Sequence, residues 1–182
     1  MRISLIIVLL FFMSVSSFSQ EKSHKCGTTE YMQMLKDADP TLEAKLANEE
    51  LLSQNWLKKN PTKTSKQIIT IPVVFHVLYN NVLHNINDQR LLDQLQVLNE
   101  DYRKFNADTV NIPAAFKGLA ADCEIQFCLA QRDPQGNPTT GITRTQTPHA
   151  AFAINDDGLI KSSNNGGMDI WNREHYLNIW VC

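Results

Sequence analysis

Ile68-Ile-Thr-Ile-Pro-Val-Val-Phe-His-Val-Leu78 is apolar on both faces and rich in β-branched residues. That composition predicts a strand, and two apolar faces predict an inner one, covered above and below. Pro72 lacks the N–H that a ladder needs, so it is expected at the start of the strand or at a bulge. Asn80-Asn81 breaks the run. Leu91, Leu95, Leu98, Tyr102 and Phe105 then recur at helical spacing, with Asn87 or Asp88 as N-cap. A strand followed by a long amphipathic helix fits a helix packed on a sheet.

Toward the C-terminus, Glu124–Ala130 reads as a second strand. Asp133-Pro-Gln-Gly-Asn-Pro138 is dense in turn residues. Ile142-Thr-Arg-Thr-Gln-Thr147 alternates as a third strand with one wet face. A long polar loop covering Asn155–Asp169 and containing Gly166-Gly167 follows, and Leu177–Val181 is a last, buried strand. The order is β-α-β-β-loop-β, without internal repeats, which makes the fold mixed α/β with one major helix.

Toward the N-terminus the chain is polar, with Lys, Glu, Gln and Asn prominent between residues 20 and 63. Tyr31, Met34 and Leu35 form one short apolar stripe, ended by Asp39-Pro40. Leu42, Leu46 and Leu52–Trp56 form another, ended by Asn60-Pro61. Pro40 is expected at the first helical position, where its missing N–H costs nothing. Two such helices make a weak core and are expected to lie on something else. Thr62–Gln67 reads as a linker.

At the very start, Arg2 precedes a predominantly apolar stretch, Ile3–Met13, with Ser17 and Ser19 placed for a cut before Gln20. The stretch is shorter than the roughly 20 apolar residues that span a bilayer. It predicts a secretory signal peptide over 1–19, a secreted, extracellular product with no membrane association after its removal, and a compartment that permits disulfides. A length of 182 residues suits one domain with appendages, and 43% hydrophobic residues exclude wholesale disorder. A formal net charge of −2 gives no electrostatic footprint for nucleic acid.

Familiar enzyme motifs are missing. There is no GxSxG elbow, no Gly-rich phosphate loop and no HExxH, and none of His24, His76, His84, His149 or His175 has a histidine four residues away. His76, inside the apolar strand, reads as structural. Cys123 and Cys128 are separated by an odd offset, so they fall on opposite faces of a strand and are not expected to bond each other. Cys123, Cys128 and Cys182 are the disulfide candidates. A Cys128–Cys182 bridge is open if their strands are neighbours, and four cysteines allow three pairings. Cys26 differs. In His24-Lys25-Cys26-Gly27-Thr28 it precedes any core, and the neighbouring Lys25 favours a thiolate, a soft ligand for zinc. Asp156 and Asp157 beside Gly158 read as a solvated loop. Calcium remains open, although EF-hand spacing is missing.

Several stretches taken together resemble the pappalysin-family metalloproteases, which are metzincins. They are Ile71–Leu78, Val97-Leu-Asn-Glu-Asp-Tyr-Arg-Lys104, Ile125–Ala130, Asp133–Arg144, Lys161-Ser-Ser, Gly166-Gly167, Trp171 and Tyr176–Val181. The resemblance runs from about residue 68 onward and rests on the order and spacing of these pieces. It implies a metzincin-like upper N-terminal subdomain with a twisted mixed sheet and one long helix, preceded by a helical pro-segment. It also implies a secreted zinc endopeptidase zymogen acting on protein or peptide substrates. In such enzymes HExxHxxGxxH supplies three histidines to zinc and a glutamate base to its water. That motif is not in this sequence, so no catalytic residue carries over. The expected division is signal peptide 1–19, pro-segment 20–63 and N-terminal part of a catalytic domain 64–182, with the fold incomplete at the C-terminus and the chain alone inactive. Cys26 resembles the Cys-Gly element by which family pro-segments occupy the zinc, and Thr62–Lys66 is the expected activation region. A non-catalytic secreted binding or inhibitor-like module is the alternative.

Overall fold

The computed structural model describes residues 27–60 and 67–182. The expected signal peptide, Cys26 and the cleavage region Thr62–Lys66 lie outside the described residues. The domain is built on one strand, β1 (Ile69–Tyr79), with which every other strand pairs. These are β2 (Ile125–Leu129), β3 (Ile142–Gln146) and β4 (Leu177–Val181). All three pairings are parallel, and the antiparallel element among the described residues is an isolated bridge between Arg132 and Pro138.

The ladder explains how one strand serves three partners. β2 pairs with residues 69–73 of β1 and β3 with residues 75–79. The bonds Ile69 N–H to Glu124 O, Ala130 N–H to Val73 O, Phe75 N–H to Gly141 O and Thr147 N–H to Tyr79 O all use odd-numbered residues of β1. Successive peptide groups of a strand point to opposite edges, so β2 and β3 lie end to end along one edge, and β4 takes the other. The seam between them is tight. A Cβ on Gly141 would stand 2.8 Å from the Ala130 nitrogen, and Gly141 has φ +73, a conformation that glycine adopts without steric cost. Pro72, an even-numbered residue, sits inside β1 in unbroken register and not at a bulge. Its nitrogen faces the β4 edge, where pairing starts only at Val73, so no ladder bond is lost.

Helix α3 (Asp88–Tyr102) begins where Asn87 accepts the Arg90 N–H at 3.1 Å, so of the two caps expected from sequence, Asn87 or Asp88, it is Asn87 that caps. It buries Leu91 and Leu95 against the odd-numbered face of β1, in a cluster with Val73, Phe75, Val77 and Phe127. Phe105 does not continue this stripe. The helix ends at Tyr102, Lys104 takes φ +55, and Phe105 is 70% exposed with the Arg103 guanidinium over its ring. Asn99 acts as a surrogate strand. Its side chain accepts the Phe127 N–H at 2.7 Å and donates to the Phe127 carbonyl at 3.0 Å, satisfying the outer edge of β2.

Two helices precede β1, α1 (Thr28–Ala38) and α2 (Leu42–Lys59), and neither buries a residue. α2 starts after Thr41 rather than at Pro40. The Asp39 carboxylate accepts from Thr41 N–H at 2.9 Å and from Lys45 Nζ at 2.8 Å. The Lys45 and Thr41 bonds hold that carboxyl down to about 2. No helix among the described residues is long and apolar enough to cross a membrane.

Candidate functional site

On the even-numbered face of β1, Val74 packs with Ala130 and Trp171, and Tyr176 closes the cluster. His76 is fully buried there. Its Nε2 is 3.0 Å from Asn178 Oδ1 and its Nδ1 is 2.8 Å from Thr143 Oγ1. An amide oxygen can only accept, so Nε2 carries the proton and Nδ1 accepts from the threonine hydroxyl. Asn178 is fully used: its oxygen also accepts Trp171 N–H at 2.8 Å, and its amide donates to the Trp171 and Tyr176 carbonyls. Burial pushes the His76 pKa below its ordinary value, against the smaller opposing effect of the Asn178 bond. With both nitrogens committed, His76 holds the neutral form and ties three strands together. It is structural, as its sequence setting implies.

The loop from Pro148 to Tyr176 covers this face. It contains a helical turn, α4 (Asp157–Ile160), and a 3₁₀ turn at Ser163–Asn165, so the stretch expected as polar loop is partly helical. Asp156 accepts the Ala153 N–H at 2.7 Å, and its carbonyl accepts from Leu159 and Ile160. Asp157 is not merely solvated. Its Oδ2 accepts from Lys161 Nζ at 2.7 Å and from the hydroxyl of Tyr31 on α1. Burial raises this carboxyl's pKa, but the Lys161 and Tyr31 bonds outweigh it and hold the group below the usual carboxylate range. The Tyr31 phenol is raised by its bond to Asp157, then by burial and the nearby negative charge. Lys161 in turn lies over the Trp180 ring of β4 at 5.5 Å, and Trp180 Nε1 donates to the Met168 carbonyl at 3.0 Å.

Next to this contact, Gly27 abuts Ile154. A Cβ at Gly27 would stand 2.6 Å from Ile154 Cδ1. Gly27, Thr28, Tyr31, Ile154 and Asp157 line an open groove of about 300 Å³. α1, capped by Gly27, is thus docked on the loop 153–161. Cys26 itself lies outside the described residues. Tyr31, Asp157 and Lys161 were not singled out together by sequence. The Asp157/Lys161 spacing of four was a readable signal, whereas Tyr31 lies 126 residues from its acceptor.

A larger cavity of about 460 Å³ opens at the C-terminal ends of the strands, between Leu78, His84, His149, Phe152, Val181 and Cys182. That is where open parallel sheets present ligand sites, but its chemistry is sparse. His149 Nε2 bonds the Asn165 carbonyl at 2.8 Å, and burial pushes the Cys182 thiol up, away from the reactive thiolate. Cys123, Cys128 and Cys182 are free thiols. The Cys128–Cys182 bridge does not form. Cys128 is paired opposite Pro72, while Cys182 follows the Val77–Val181 pair on the other edge of β1. Five or six strand positions correspond to roughly 16–20 Å, far beyond disulfide reach. Among the described residues no group of three or more His, Cys, Asp or Glu could hold a metal, so the described residues do not fit a zinc site.

No protein-family profile matches the chain, and no curated protein does. Solved structures do. Promirolysin of Tannerella forsythia, solved as a point mutant, is 43% identical with a TM-score of 0.69, over 82% of this chain and 47% of that one. Mature mirolysin of the same organism, in complex with a cleaved peptide, is 53% identical with a TM-score of 0.60, over 63% of this chain and 42% of that one. Mirolysin in complex with a compound gives 53% identity and a TM-score of 0.61, over 64% and 43%. The chain spans a little under half the length of these proteins. In sequence and in backbone it is pappalysin-like, with the mixed α/β, metzincin-like fold of promirolysin.

Proposed function

We propose that this chain is the N-terminal portion of a secreted zinc metalloendopeptidase zymogen that hydrolyses peptide bonds in extracellular proteins. The observation that carries the reading is the difference between the two forms of the relative. The zymogen accounts for 82% of this chain and the mature enzyme for 63%. An added share of that size is what a pro-segment ahead of β1 contributes. The division is signal peptide 1–19, pro-segment 20–63 and catalytic-domain residues 64–182. The cleaved peptide bound to mature mirolysin supports peptide substrates.

In this reading Cys26 is the latency residue, its thiolate occupying the position that water takes on an active zinc. α1, which follows Gly27, meets the loop 153–161 through the Tyr31–Asp157 bond. The zinc itself is assigned to residues other than those described, and the Asp156–Asp157 turn, raised from sequence as a calcium loop, belongs to no group of three or more His, Cys, Asp or Glu among the described residues that could hold an ion. The chain on its own is inactive. The test is the in-frame nucleotide sequence after codon 182. HExxHxxGxxH within the following few hundred bases is expected, and an open continuation without it overturns the reading. The encoded full-length protein should then lose latency on Cys26→Ala and lose peptidase activity on zinc chelation.

A further inference from the structure

We propose that Tyr31 and Asp157 form a second latch, an autoinhibitory clamp that docks α1 on the domain independently of any metal. The clamp rests on the pro-segment reading above and extends it, because it assigns latency to residues other than the cysteine. Three features of the contact carry it.

The first is chemistry. A phenol donating to an ionised carboxylate is a charge-assisted bond, stronger than a neutral pair. The second is preorganisation. Asp157 does not wait for α1. The turn Ala153–Asp156 and the bonds from Leu159 and Ile160 to the Asp156 carbonyl fix its backbone. Lys161 holds the same carboxylate oxygen from the other side and rests on Trp180 of the sheet. The acceptor therefore loses little freedom when Tyr31 arrives. The third is the thinness of apolar burial in the helical pair. α1 and α2 bury no residue, and Leu51, Leu52, Trp56 and Leu57 of α2 are each more than half exposed. Apolar burial in this segment is thus only partial, with Tyr31, Met32 and Leu35 half-buried, and the Tyr31–Asp157 bond is a directional contact that ties it to the loop 153–161. Gly27 adds a steric condition: with no side chain it passes against Ile154, which the flexible end of that isoleucine must vacate for any larger residue.

The experiment uses the full-length zymogen and compares wild type with Tyr31→Phe, Asp157→Asn and the double variant. Tyr31→Phe keeps the ring and removes one hydroxyl. Amide hydrogen exchange over residues 28–38 reads docking. Autoactivation in the presence of intact Cys26 reads latency. Each single variant is expected to speed exchange in α1 roughly tenfold, leave exchange in β1 and α3 unchanged, and shorten the lag before autoactivation. The double variant should add little to either single one, since both remove the same bond. Unchanged α1 exchange in Tyr31→Phe overturns the clamp. Faster exchange without a shorter lag overturns its role in latency. A change in β1 exchange for Asp157→Asn signals general loosening, and Tyr31→Phe then decides alone. A wild-type protein that never shows peptidase activity counts against the proposed function and not the clamp, whose docking readout needs no catalysis.

Discussion

At the scale of single residues, the buried histidine and two asparagines decide how the sheet is finished. His76 is held neutral between Thr143 and Asn178. Its folded pKa lies below the ordinary value, so the unfolded chain takes up a proton first as the pH falls. Stability is therefore full above about pH 6.5, the unfolded histidine value, and declines below it until the folded group also titrates. Urea melts from pH 8 to 5 should show that decline in wild type and a shallower one in His76→Gln, at lower overall stability. A steeper slope in the variant contradicts the assignment. Asn99 has a different task, since it closes the outer edge of β2 from a neighbouring helix. Asn99→Ala leaves a part-buried backbone pair without partners, and should cost about 1–3 kcal/mol in chemical denaturation. Asp157 adds a second pH-sensitive group. It is held low while facing Tyr31 and Lys161, so α1 docking should persist through mildly acidic pH and fail only as that carboxylate protonates.

At the scale of elements, local periodicity carried most of the reading. β1, α3 and the order β-α-β-β-loop-β were visible because a two-sided apolar run and an i, i+3, i+4 stripe are properties of neighbours in sequence. The Asn87 cap was visible for the same reason. What escaped was decided by contacts far apart in the chain. Parity along a strand tells which face a cysteine takes but not which edge of β1 its strand occupies, and Cys128 and Cys182 ended on different edges. Phe105 looked helical by spacing, yet the chain turns at Lys104. Asp157 looked solvated because its partner on α1 lies 126 residues away. Of the candidate site, the Asp157/Lys161 spacing was legible, while Tyr31 as the partner on α1 was not, and Cys26 lies outside the described residues.

At the scale of the whole molecule, two regions of unequal cohesion face each other. The sheet and α3 share a continuous core around Val73, Phe75 and Val77, whereas α1 and α2 carry no buried residue. The consequence is most concrete at the seam where β2 gives way to β3. Ala130 and Gly141 touch, although ten residues separate them in sequence. Topologically, the two strands are one strand with a closed detour between adjacent positions. That detour is self-contained: the Asp133 side chain accepts from Gln135 N–H at 2.9 Å and Asn137 N–H at 2.8 Å, and Arg132 pairs with Pro138. Additional chain threaded into its tip, between Gln135 and Gly136, would begin and end in solvent and ask nothing of the ladder. A short Gly/Ser insert there should shift the melting midpoint by no more than about 2 °C, while the same insert at Val74 should prevent folding. The protein thus carries a port for new sequence in the middle of its central sheet, on an edge that remains zipped on either side of it.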